Sequence, residues 1–143
     1  MPSNRGFSLL ELLIVVGIIL IIATIAIPSL LNSRQTANES AAAATLKIIN
    51  TAQVTYSSAA SNMYGVMDDL VTAGLADSGL LGTKAGYTYT ITLSGDRMDY
   101  TVYATATSNI MGRYDFYTTP ANVIRYSTVS TRAPASLAGE PAR

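Results

Sequence analysis

Gly6-Phe7-Ser8-Leu9-Leu10-Glu11 opens the decisive stretch of this chain, and Leu12-Leu13-Ile14-Val15-Val16-Gly17-Ile18-Ile19-Leu20-Ile21-Ile22-Ala23-Thr24-Ile25-Ala26-Ile27 carries it to Pro28. The run from Phe7 to Ile27 is 21 residues, long enough as a helix to cross roughly 30 Å of hydrocarbon. One carboxylate interrupts it, close to its start. A charged group toward the middle of a bilayer costs about 2.5–3.5 kcal/mol, so Glu11 needs a partner or a function. If the chain is cut after Gly6, Phe7 becomes a new N-terminus whose amine lies four residues, about 6 Å of helix rise, from Glu11.

Two plainer readings account for less. A secretory signal has an apolar region of about 7–15 residues followed by its cleavage site, whereas here the small residue precedes the apolar run. A simple signal anchor explains the length, but neither the Gly6-Phe7 pair nor Glu11. The short polar leader ending in Gly6, the aromatic Phe7, Glu11 four residues later, the apolar stretch and Pro28 together resemble the processing site and N-terminal helix of type IV pilins and of the related pseudopilins of type II secretion.

The resemblance implies an α+β fold in which a long N-terminal helix, its first half transmembrane, packs on a four-stranded antiparallel sheet. It implies cleavage after Gly6 by an inner-membrane prepilin peptidase that also methylates the amine of Phe7. It further implies pairing of Glu11 with a neighbouring subunit's terminus in a helical homopolymer built on a pilus assembly platform, and a helix break at Pro28. The expected organisation is a leader at 1–6, a membrane and filament-core helix at 7–32, a globular head at 33–126 and a C-terminal arm at 127–143. Before assembly the subunit would cross the bacterial inner membrane once, and afterwards it would lie in an extracellular pilus. The alternatives are a periplasmic pseudopilus subunit or a minor pilin, though Glu11 argues against the tip-type minor members that lack this acid.

Composition sets the remaining limits. Nine basic and nine acidic residues balance, and no basic excess points to nucleic acid. Removal of the leader takes away Arg5 and leaves one net negative charge. Arg5 before the span and Arg34 after it give only a slight positive-inside signal, so the resemblance carries the topology. Cysteine is absent, so an exported head has to rely on packing where many pilins staple their C-terminal loop with a disulfide. Histidine is also absent. Without His or Cys, and with no nucleophile elbow, an enzymatic reading would rest on carboxylates alone, and no cofactor is implied.

After Pro28 the pattern turns amphipathic. Proline removes a backbone hydrogen bond and kinks a helix, but the periodicity predicts one helix from Phe7 to near Ala60. Ala41, Ala44, Ile48, Ala52, Tyr56 and Ala59 recur in steps of three and four and are expected to trace its buried face, with Leu46, Ile49 and Val54 off that stripe. A short helix is predicted within Met67-Asp68-Asp69-Leu70-Val71-Thr72-Ala73-Gly74-Leu75, with acids at its start and Gly74 as its stop. Asp68 and Asp69 lack the further oxygen ligands at regular spacing that a calcium loop needs.

From Tyr87 the period becomes two. A two-residue turn at Gly95-Asp96 is expected to set Leu93 opposite Met98, Ile91 opposite Tyr100, Tyr89 opposite Val102 and Tyr87 opposite Ala104. A second hairpin is expected from Tyr114-Asp115-Phe116-Tyr117-Thr118 through Pro120-Ala121-Asn122 to Val123-Ile124-Arg125-Tyr126, with Asn122 tolerating left-handed geometry. The tail is rich in Ser, Thr, Ala and Pro and has no period, so it reads as an extended arm or one packed along the sheet or the next subunit. The sequon Asn38-Glu39-Ser40 falls on the predicted helix, where acceptor sites are uncommon. Nine tyrosines and two phenylalanines offer a binding surface for DNA, carbohydrate or electron transfer, but Tyr87, Tyr89, Tyr100 and Phe116 are accounted for as sheet core. Whether such a fibre serves twitching motility, cell adhesion, DNA uptake or conduction is not written in these residues.

Overall fold

The computed structural model describes residues 6–126 and 140–141. The chain divides into two compact units, one ending at Arg34 and one starting at Gln35, and each has its own character. Helix α1, Leu9–Ala59, supplies residues to both. Pro28, expected as its first break, lies inside α1 without ending it. The helix stops in a left-handed turn: Ser61 and Asn62 have φ of 54° and 63°, and the Asn62 amide donates to the Ser57 carbonyl at 2.9 Å. That six-to-one bond satisfies a carbonyl the helix end would otherwise leave orphaned.

In the second unit a sheet packs against α1. Its six strands run in chain order, each antiparallel to the next: β1 Thr83–Lys84, β2 Tyr87–Leu93, β3 Tyr100–Ala106, β4 Phe116–Thr118, β5 Arg125–Tyr126 and β6 Glu140–Pro141. The α+β class holds, but four strands were expected and six are found among the described residues. The additional two, β1 and β6, are two residues long, too short to show an alternation. Strand β1 turns into β2 through Ala85 and Gly86, with φ of 52° and 77°. Two positive values in succession are the mark of a tight type I′ hairpin. Strand β6 pairs Arg125 with Pro141 and Tyr126 with Glu140, so these two residues of the expected arm fasten to the sheet edge without a disulfide. The rest of that arm lies outside the described residues.

The first hairpin corrects the expected register. Leu93 pairs with Tyr100, Ile91 with Val102, Tyr89 with Ala104 and Tyr87 with Ala106, each displaced by two from expectation. The turn is longer than Gly95-Asp96 because Ser94 closes it: its amide donates to the Asp99 carbonyl at 2.9 Å, and its hydroxyl accepts from the Asp99 amide at 2.9 Å. The Asp96 carboxylate accepts from the Met98 amide at 3.1 Å, leaving Met98 63% exposed rather than in the ladder. A shift by an even number keeps every side chain on its face, so the apolar pairing survives. In the second hairpin only Phe116 with Tyr126 and Tyr117 with Arg125 pair, while Tyr114, Asp115, Val123 and Ile124 lie outside the strands. Asn122 adopts φ +58° as expected.

The buried face of α1 also differs from the expected stripe. Ala42, Leu46, Ile49 and Ala52 are buried, whereas Ala44 is exposed and Ile48 is 57% exposed. Alanine-rich helices carry apolar residues on more than one side, so spacing alone does not choose the face. The choice is made by Asn50 and Gln53, which are buried in the same arc and find partners in the head. Gln53 donates to the Gly65 carbonyl at 2.6 Å and accepts from its amide at 3.0 Å. These helix residues pack with Tyr87, Tyr100, Val102 and Phe116 from the sheet and with Leu70 from α2, Met67–Thr72. Helix α2 ends at the expected place, with Gly74 at φ +70°.

Candidate processing and assembly site

Residues 1–5 of the expected leader lie outside the described residues; Gly6 is the first that can be placed. A β-carbon on Gly6 would meet nothing within 4 Å. The fold itself therefore does not demand glycine there. Phe7 follows, 82% exposed. The helix begins two residues later, and its first turn is closed by side chains.

Ser8 and Glu11 form a reciprocal pair. The Ser8 amide donates to Glu11 Oε2 at 3.0 Å, and the Glu11 amide donates to Ser8 Oγ at 3.4 Å. This is a capping box, in which the residue before the helix and the third residue within it satisfy each other's backbone donors. The spacing Ser8-Leu9-Leu10-Glu11 displays it in the sequence. Beyond Glu11 the large apolar side chains up to Leu31 remain exposed, Ile14, Ile19, Ile25 and Leu30 among them. Among the described residues α1 alone is long and apolar enough to cross a membrane, and its most apolar window is unburied. A core helix of a water-soluble domain would be covered.

The head carries polar clusters of its own. Gln35, Asn38 and Glu39, on one side of α1, hold the connection between β3 and β4. Gln35 donates to the Asn109 carbonyl at 2.6 Å and Asn38 to the Met111 carbonyl at 2.9 Å. Glu39 accepts from the Arg113 amide at 2.8 Å and from its guanidinium at 3.1 and 3.0 Å. The Glu39 hydrogen bond and charge push the Arg113 guanidinium further above its ordinary value, and that cation also lies 5.6 Å from the Tyr114 ring centre. Asn38 is thus occupied within the fold, which argues against the sequon as an acceptor. Asp69 accepts from the Val66 amide at 3.1 Å and pairs with Arg97 at 2.6 Å, a structural task of the kind expected for acids at a helix start. Among the described residues no group of three or more acids, histidines or cysteines could hold a metal.

Residues 1–27 match the family model described as the prokaryotic N-terminal methylation motif. The chain is 47% identical over 55 residues to the type IV major pilin protein PilA of Myxococcus xanthus, covering 38% of this chain and 25% of that one. It is 37% identical over 95 residues to the type IV wide pilus major component PilA4 of Thermus thermophilus, covering 64% of this chain and 66% of that one.

The chain belongs to the type IV pilin family.

The long apolar helix and antiparallel sheet of this pilin are the family's α+β fold. The matched stretches span a quarter and about two thirds of those relatives' lengths. No solved structure matches the pilin. Of the residues singled out in the sequence, Gly6, Phe7 and Glu11 lie together at the exposed start of α1, and Pro28 lies apart from them within the helix.

Proposed function

We propose that this pilin is the structural subunit of a type IV pilus. Its helix at 7–32 is held in the inner membrane, prepilin peptidase cuts after Gly6 and methylates the Phe7 amine, and the subunits polymerise into an extracellular filament on the assembly platform. Glu11 of one subunit pairs with the Phe7 amine of another. The reading assigns no catalytic residue to the chain. The observation that carries it is Glu11 itself: the lone ionisable side chain between Gly6 and Arg34, at the exposed start of an apolar helix, inside the matched methylation motif.

The physical argument is one of exchange. Apolar helices leaving lipid for a filament core trade one apolar surrounding for another, so the gain lies in packing and in satisfying the acid. Both relatives are named as major pilus components, which favours a pilus over the alternative pseudopilus or minor pilin. Glu11→Gln tests the reading. The variant should be cleaved and inserted normally while the ratio of sheared fibre to membrane-held mature subunit falls steeply, because breaking a charge pair in low dielectric costs about 3–5 kcal/mol. An unchanged ratio removes the assembly role of Glu11.

A further inference from the structure

We propose that Ser8 is a positioning residue for assembly, orienting the Glu11 carboxylate before another subunit's amine arrives. The proposal rests on the pairing of Glu11 just described and extends it to a second residue.

Both partners of the capping box follow Gly6, so cleavage leaves the box intact. The Phe7 and Ser8 nitrogens are three covalent bonds apart, no more than about 3.7 Å. Since the Ser8 amide is 3.0 Å from Glu11 Oε2, cleavage releases an amine within about 7 Å of a carboxylate whose direction is already set. Free of the box, a glutamate in the first turn of a helix samples several rotamers. Held by it, the carboxylate turns back toward the N-terminus, where the amine of a second copy has to approach. A carboxylate has acceptor sites for more than one donor, so the Ser8 amide does not block a further partner.

The rest of the apolar segment follows the same rule. Thr24 donates to the Ile21 carbonyl at 2.7 Å. Its hydroxyl finds an acceptor inside its own helix, as a lipid surrounding requires. For Glu11 the partner is Ser8. The Ser8 hydroxyl accepts from the Glu11 amide and so holds Ser8 in the capping conformation, from which its own amide faces the carboxylate. Without that hydroxyl the helix start is free to shift, and the amide turns away.

Three substitutions separate positioning from simple helix capping. Ser8→Thr keeps the hydroxyl and should assemble like the parent. Ser8→Ala removes it and should lower the ratio of sheared fibre to mature membrane-held subunit by about threefold or more. Ser8→Asp caps a helix as well as serine does but sets a second carboxylate beside Glu11; it should also assemble poorly, whereas a purely structural role predicts parental yield. Dividing by mature subunit cancels effects on cleavage. A readout independent of processing is hydrogen exchange at the Glu11 amide of the full chain in lipid vesicles, expected to be faster in Ser8→Ala. Parental fibre ratios in both Ser8→Ala and Ser8→Asp, or an unchanged exchange rate, overturn the proposal. If Glu11→Gln fails to assemble while both Ser8 variants succeed, Ser8 alone loses its role; if Glu11→Gln assembles normally, the pairing itself falls.

Discussion

Glu39 on α1 grips Arg113 across 74 residues of sequence, accepting from its main-chain amide and from two guanidinium nitrogens at 2.8, 3.1 and 3.0 Å. The Glu39 side chain is 10% exposed and that of Arg113 is 47% exposed, so the acid is largely dry while the base still touches water. Residues 35–143 contain the entire core cluster and should fold without the apolar span. In that fragment Glu39→Ala should lower stability by about 1–3 kcal/mol, because the Arg113 amide and two of its guanidinium nitrogens lose their shared, largely buried acceptor. Glu39→Gln, which keeps one acceptor oxygen, should lie between. Urea midpoints of the three proteins check this, and coincident midpoints would show that the loop is held by other contacts.

Asn50 is the hub of a second buried network. It donates to Thr118 Oγ1 at 2.8 Å and to Asn122 Oδ1 at 2.9 Å, and accepts from the Tyr100 hydroxyl at 3.0 Å. Asn50→Leu should cost about 2–3 kcal/mol by leaving the buried Thr118 and Tyr100 hydroxyls without this partner, while the exposed Asn122 can turn to water. Asn50→Asp should also destabilise, since it replaces the amide donor with an acceptor facing Asn122 Oδ1. A stable Asn50→Leu protein would mean that water reaches the network.

Burial, and next the neighbouring Tyr64 and Asp99, push the Tyr100 phenol from its ordinary 10.0 up to about 12. Burial raises Tyr89 as well. A phenol that holds its proton more tightly when folded contributes stability that is fully present below pH 10 and is lost as pH rises toward 12. Ultraviolet titration should therefore find late-ionising tyrosines, with unfolding setting in over the same interval. Titration of all the tyrosines near pH 10 in a folded protein would contradict this burial.

Gly6 stands in open space, so Gly6→Val should leave the fold unaltered. If the peptidase requires a residue without a side chain, the variant should retain its leader and fail to form fibre. N-terminal mass spectrometry reports the outcome directly, and a normal Phe7 terminus in Gly6→Val would show that glycine is dispensable for cleavage.

The sequence by itself determined the features whose causes are local. The apolar run, Glu11 and the Gly6-Phe7 pair lie within one contiguous stretch; the Ser8–Glu11 box, although its spacing of three is local, emerged only with the structure. Strand alternation from Tyr87 to Ala106 likewise settled which side chains share a face. What the tertiary structure alone decided is what depends on partners distant in sequence or on hydrogen bonds within a turn. Ser94, Asp96 and Asp99 lengthened the first turn and displaced the ladder by two, a change invisible to a period-two pattern because it leaves every face as it was. The buried arc of α1 was settled by Asn50 and Gln53 finding partners in the head, where an alanine-rich helix offered several apolar faces of similar quality. Glu39 and Arg113 are brought together only by the fold, since nothing in the local chemistry of either residue names the other.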